Sequence, residues 1–167
     1  MAQTATLYLF EKKDLASLQV ASGDHLIKKK SLLSFPKKTS KKYEKLFDSF
    51  AVEKIVYRWT GMAFPILAVF SKEKLYVDWD NLEYSSIAND LSKNLEAGIY
   101  IFSIKDEGLL RLRPDSMFYS PHELYKFAID FTGEKPSNPD IMKDAVGFLN
   151  NTLSKLTNEH VILLFIV

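Results

Sequence analysis

An α+β domain, with a mixed and mainly antiparallel sheet of six or seven strands and four or five packed helices, is the architecture this sequence predicts. Three observations carry that expectation. Short apolar runs with strand periodicity fall in clusters instead of alternating one by one with helices, which argues against a doubly wound nucleotide fold. At least four stretches show helical spacing. The sequence closes on "HVILLFIV" (His160 to Val167), a continuous apolar run suited to a strand covered on both faces.

The elements follow in the order β-α-α-βββ-α-ββ-α-α-β. "TLYLF" (Thr6 to Phe10) opens as a strand, and Leu15, Leu18 and Val20 suggest a helix that stops at the turn-like "SGDH" (Ser22 to His25). Thr39 or Ser40 is the expected cap of a second helix, whose apolar stripe is Tyr43, Leu46, Phe47 and Phe50. "EKIVYRW" and "FPILAVF" flank Thr60-Gly61 as a hairpin, with Pro65 at a strand start or edge. "SKEK" turns the chain into a third strand, "LYVDW" (Leu75 to Trp79).

Ile87, Leu91 and Leu95 then predict a helix ending near Gly98. "IYIFSI" and "LLRLR" suggest a hairpin about "KDEG", where Gly108 would supply a positive φ. Ser120-Pro121-His122-Glu123 is the clearest start signal in the chain, joining a cap, a first-turn proline and a capping-box glutamate. That helix should run to Gly133. A longer one should open at Pro139, with Met142, Ala145, Val146, Leu149, Leu153 and Leu156 on its apolar face. The closing run is expected to be a central strand, intolerant of truncation.

Composition bounds the chemistry. The 167 residues hold 47% hydrophobic and 26% charged side chains, ordinary for one globular domain. The absence of cysteine removes disulfides, thiolate metal sites and a cysteine nucleophile together. The opening residues lack a signal-peptide pattern and the longest apolar run is far short of a membrane span, so a soluble, cytoplasmic protein is expected. Ten lysines against five acidic residues fall in positions 1–50, whereas positions 51–167 carry twelve basic and sixteen acidic residues. Such asymmetry steers charged partners.

No glycine-rich phosphate loop, serine elbow or zinc-binding helix motif is present. His25, His122 and His160 share no motif. The nearest approach to a catalytic signature is Asp78-x-Asp80-x-x-Glu83 in "LYVDWDNLEYSS". On a strand, Asp78 and Asp80 would lie on one face roughly 6–7 Å apart. With Glu83 they could hold Mg²⁺ or Mn²⁺ for hydrolytic chemistry. The same spacing also suits a turn that caps a helix start. Arg111 and Arg113 would share a strand face as an anion clamp or as its solvent side. Eight lysines between Lys28 and Lys45 (Lys28–Lys30, Lys37, Lys38, Lys41, Lys42, Lys45), with Phe35, Tyr43 and Phe47 among them, allow a nucleic-acid reading. The missing arginines and the core-like Tyr43 and Phe47 weigh against it.

The favoured expectation is a cofactor-free, non-catalytic protein-binding domain, of inhibitor, immunity or adaptor type. Its candidate contacts are Asp78, Asp80, Glu83, Lys37, Lys38, Lys41, Lys42, Lys45, Arg111 and Arg113. A metal-dependent hydrolase at Asp78, Asp80 and Glu83 is the alternative, and nucleic-acid binding through Lys28–Lys45 the second.

Overall fold

A computed structural model describes residues 4–31, 39–113, 115, 117–136 and 138–167; for 24–31 and 39–42 the description covers the backbone alone. The α+β class holds. Four strands, β1 (Ala5–Glu11), β2 (Glu53–Val56), β3 (Gly98–Phe102) and β4 (His160–Ile166), form one wholly antiparallel sheet in the order β2-β1-β4-β3. Two helices separate each successive pair of strands: α1 (Leu15–Ser31) and α2 (Thr39–Phe50), α3 (Ala63–Lys74) and α4 (Ser85–Leu95), α5 (Pro121–Thr132) and α6 (Ile141–Leu153).

Alternation along the strands divides the core in two. Leu7, Leu9, Phe102, Ile162, Leu164 and Ile166 face α3, α5 and α6. Tyr8, Phe10, Ile99, Ile101, Val161, Leu163 and Phe165 face α1, α2 and α4. The closing run is the central strand that its composition predicts: all of Val161–Ile166 is buried.

The sheet has four strands where six or seven were expected, because three apolar segments take other forms. "FPILAVF" lies in α3, with Phe64, Ile66, Leu67 and Phe70 buried around a wide helical face. Pro65 sits in the first turn of that helix, where no amide donor is needed, and Thr60-Gly61 leads into the helix instead of closing a hairpin. "LYVDW" keeps an alternation of buried Leu75, Val77 and Trp79 with exposed Tyr76, but its backbone is no strand: Leu75 ends α3, Tyr76 is left-handed (φ 57°) and Trp79 opens a 3-10 turn. "LLRLR" belongs to a 3-10 helix, Glu107–Leu112, that buries Leu109 and Leu112 three residues apart, the period of that helix.

Smaller departures have local causes. Ser22 to His25 continue α1 because Ser22 is buried, with its hydroxyl donating to Gln19 O (2.7 Å) and accepting from Asn94 Nδ2 (2.9 Å) on α4. Glu96, and not Gly98, takes the left-handed position after α4 (φ 52°); Gly98 begins β3. Gly108 has no positive φ, but its bare Cα lets the 3-10 helix approach Val77, whose methyl carbon lies 3.1 Å from where a Cβ would sit. The long helix opens two residues after Pro139.

The start of α5 forms as its sequence predicts. Ser120 Oγ accepts from Glu123 N (3.2 Å), Ser120 N donates to Glu123 Oε2 (2.6 Å), and Gly133 ends the helix at φ 70°. The stripe on α2 is also seen, with Tyr43, Leu46 and Phe47 buried and Phe50 packed at its edge. Among the described residues, no helix is long and apolar enough to cross a membrane.

Because Leu164 lies fully buried at the centre of one core, Leu164→Ala should cost about 2–5 kcal/mol, whereas Val56→Ala on the open edge should cost within about 0.5 kcal/mol. Denaturant titration of both variants checks this contrast.

Candidate functional site

The acidic triplet resolves into two separate ion pairs. Asp78 is the cap of a 3-10 turn, Trp79–Asn81. Its carboxylate accepts from Asp80 N (3.1 Å) and Asn81 Nδ2 (3.0 Å), and pairs with Lys72 Nζ at 2.8 Å. Lys72 above all, then the Asp80 amide and Asn81, hold this carboxyl below the usual range despite partial desolvation. Glu83 pairs with Lys105 Nζ (2.8 Å), which likewise lowers its carboxyl. Asp80 is exposed. Asp78 and Asp80 therefore do not share a strand face, and among the described residues no group of three or more His, Cys, Asp or Glu side chains is placed to hold a metal.

The two arginines also part company. Arg111 Nη1 donates to Leu75 O (2.8 Å), a carbonyl at the end of α3, and its guanidinium lies over the Phe118 ring. Arg113, the extended residue that follows the 3-10 helix, pairs with Asp115 (Nε to Oδ1, 3.4 Å). Their alternation was the mistaken premise of a clamp, since the helix turns them apart. Lys45 is exposed on α2. Lys37 and Lys38 lie outside the described residues, as do the side chains of Lys28–Lys30, Lys41 and Lys42. Tyr43 and Phe47 are buried and closed to base stacking. His122 is exposed, and His160 Nδ1 meets Thr157 Oγ1 at 2.7 Å; the His25 side chain lies outside the described residues.

A cleft missed by the motif search lies next to these residues. Its volume is about 550 Å³, between the segment Ser103–Arg113 on one side and the end of α6 with the following turn on the other. Leu109, Leu110, Ile104, Leu153 and Leu156 supply an apolar lining, and Asp106, Glu107, Arg113 and Asp115 its charged rim. The volume falls within the roughly 300–1,000 Å³ range of ligand-sized clefts.

Its walls are held by hydrogen bonds. Asp106 accepts from Ser103 N (2.7 Å) through one oxygen and from Glu83 N (3.1 Å) through the other, fixing the turn after β3. The Leu112 carbonyl, at the end of the 3-10 helix, accepts from Asn150 Nδ2 on α6 (3.0 Å) and from the Tyr119 hydroxyl (3.0 Å). Both walls are thus tied to the same framework, so the opening is preformed. Beside it, a shallower hollow of about 430 Å³ shares Asp106 and Glu107 and takes in Asp78, Lys105 and Arg111.

Apolar side chains stand exposed around these openings. Leu110 is 63% exposed and Ile104 nearly half exposed, both on the cleft wall. The one sequence signal for this surface was "LLRLR" itself. Read with a period of three, it places Leu110 between the buried Leu109 and Leu112 and hence outward. No protein-family model matches the chain, and comparisons with curated proteins and solved structures find no match.

The Asp78 geometry makes a pH-dependent prediction. A carboxyl lowered in the folded state stabilises it fully above its unfolded value and loses that contribution as pH falls through the folded one. Asp78→Ala should cost about 0.5–1 kcal/mol at pH 7, the ordinary worth of a side-chain cap, with the exposed Lys72 pair adding little. The deficit should shrink below the usual carboxylate range, and millimolar Mg²⁺ or Mn²⁺ should leave the melting temperature of both proteins unchanged. Thermal melts at pH 7 and pH 2.5 with and without metal read both.

Proposed function

We propose that the protein is a binding domain that holds a partner protein through the cleft between Ser103–Arg113 and the end of α6. The supporting observation is the conjunction of a preformed apolar cleft with the exposed side chains Ile104 and Leu110 on its wall. Exposed apolar surface gathered about a concavity is costly to keep in water and is typical of interaction sites.

The lining favours occupancy over reaction. Among the described residues it includes no histidine, lysine or tyrosine, and its serines are engaged with backbone: Ser103 Oγ accepts from Lys105 N (3.2 Å) and Ser154 Oγ donates to Asn151 O (2.7 Å). The Ser103 hydroxyl is also held by the Glu83 carboxylate, whose pairing with Lys105 lowers its carboxyl and makes it a poor base. An inhibitor, an immunity-type protein or an adaptor acts by such occupancy.

Charge narrows the partner. Three carboxylates, Asp106, Glu107 and Asp115, face one guanidinium, Arg113, around the rim. A partner segment that inserts apolar side chains flanked by lysine or arginine complements this arrangement, with salt weakening the flanking contacts but not the inserted ones. Of the residues singled out by charge in the sequence, Arg113 lines this cleft and Asp78 and Arg111 its shallower neighbour.

Immobilised protein offered extract from its source should retain a stoichiometric partner, more weakly at high salt. Leu110→Asp should reduce that retention about ten-fold or more, as for a central contact. Val20→Asp, exposed on α1, should leave it unchanged. Equal retention by all three proteins, or none by the wild type, contradicts the reading.

A further inference from the structure

The two edges of the sheet differ. Thr4 and Val167 exchange backbone hydrogen bonds (2.7 and 3.0 Å), so alternation along β4 and then β3 turns the peptide groups of Ile99 and Ile101 to the outer edge. Both residues are buried nonetheless, and the next outward amide, Ser103 N, is capped by Asp106. That edge is closed.

At the other edge, Tyr57 N donates to Ala5 O (3.0 Å), and Leu7 faces Ile55. The same alternation points the peptide groups of Glu53, Ile55 and Tyr57 to β1 and leaves those of Lys54 and Val56 facing outward. Val56 is 56% exposed, and Val52, Trp59 and Met62 are exposed within the same short stretch. Sheet edges are usually blunted by a lysine that projects from them. Here Lys54 is drawn back: its Nζ sits 3.4 Å from Glu44 and 3.2 Å from Asp48, and 5.6 Å from the centre of the Tyr8 ring.

We infer that β2 pairs antiparallel with β2 of a second copy, with Ile55 on the two-fold axis, to form a continuous eight-stranded sheet. A second copy is the occupant because the edge complements itself in one register. Opposed residues must share a face, so the axis passes through one residue of β2, and at Glu53 it would set two glutamates against each other. With Lys54 on the axis, two lysines oppose each other; with Val56 there, Lys54 opposes Arg58. Like charges directly opposed are destabilising. With Ile55 on the axis, Lys54 opposes Val56 twice over, and these are the residues whose peptide groups face outward, so four hydrogen bonds form. The same register brings Val52 of each copy to the turn that carries Trp59 and Met62 of the other. Gly61 holds that turn against β1, where a Cβ would sit 2.8 Å from the Thr4 carbonyl. The interface is isologous and closes on two copies.

A strand this short gives a weak dimer, so the test is sedimentation equilibrium from micromolar to millimolar protein. The wild type should show a reversible monomer–dimer equilibrium. Val56→Lys places a lysine opposite Lys54 at two symmetric points and should weaken dimerisation by about five-fold or more; Val56→Glu should tighten it by a similar factor. Circular dichroism should show both variants folded, since residue 56 is exposed. A wild-type chain that remains monomeric to about 1 mM overturns the inference. So does a dimer indifferent to both substitutions, or one weakened by Val56→Glu, which would place Val56 opposite its own copy.

Discussion

Everything in the molecule is organised by burial of β4 on both faces and along both edges. A strand whose side chains all point into protein must be flanked by two strands and covered by two helical layers. The rest of the chain supplies these: β1 and β3 beside it, α1, α2 and α4 on one side, α3, α5 and α6 on the other. Phe165 stacks edge-on with Phe47 of α2 at 5.0 Å between ring centres, while Leu164, its neighbour, belongs to the opposite core. A residue near the end of the sequence thus joins elements whose packing was set by segments more than a hundred positions earlier.

That arrangement leaves little chemistry inside. Two buried hydroxyl groups serve the backbone of their own helices: Ser71 donates to Leu67 O (2.6 Å) and Thr152 to Phe148 O (2.9 Å). Burial raises the phenols of Tyr8 and Tyr57 to about 12, keeping both neutral across the physiological range. The charged groups pair at the surface, some between elements, as Lys54 does with Glu44 and Asp48, and some in turns that they secure. Asp106 illustrates this: one side chain, through two backbone amides, joins the turn after β3 to the segment before α4 and so shapes the cleft wall. In this protein acidic residues build the surface that binding would use.

The sequence was most legible where local and tertiary preferences agree. The capping box at Ser120, the stripe on α2 and the closing strand each satisfy a local rule and a burial requirement together. It was misleading where alternation was genuine but its cause was different. Leu75, Val77 and Trp79 are buried in alternation, as a strand would have them, yet the backbone there is the end of α3, a left-handed Tyr76 (φ 57°) and a 3-10 turn, with Val77 N returning to Ser71 O (3.0 Å). In "FPILAVF" a short run of apolar residues fits strand and helix equally, and only contact with α6 and the Tyr57–Phe64 ring pair (5.0 Å) decides between them. The cleft had no motif to announce it, because its residues come from positions 103–115 and 150–156 and acquire meaning only once Asn150 reaches the Leu112 carbonyl.

The claim that the Ser103–Arg113/α6 cleft is the principal binding surface can be tested most directly without knowing the partner, by methyl NMR of the intact chain during titration with a small apolar probe such as cyclohexanol. Saturable shifts confined to Ile104, Leu109, Leu110, Leu153 and Leu156 are the predicted result. Shifts that rise linearly without saturation, or that centre on methyl groups elsewhere in the molecule, would contradict it.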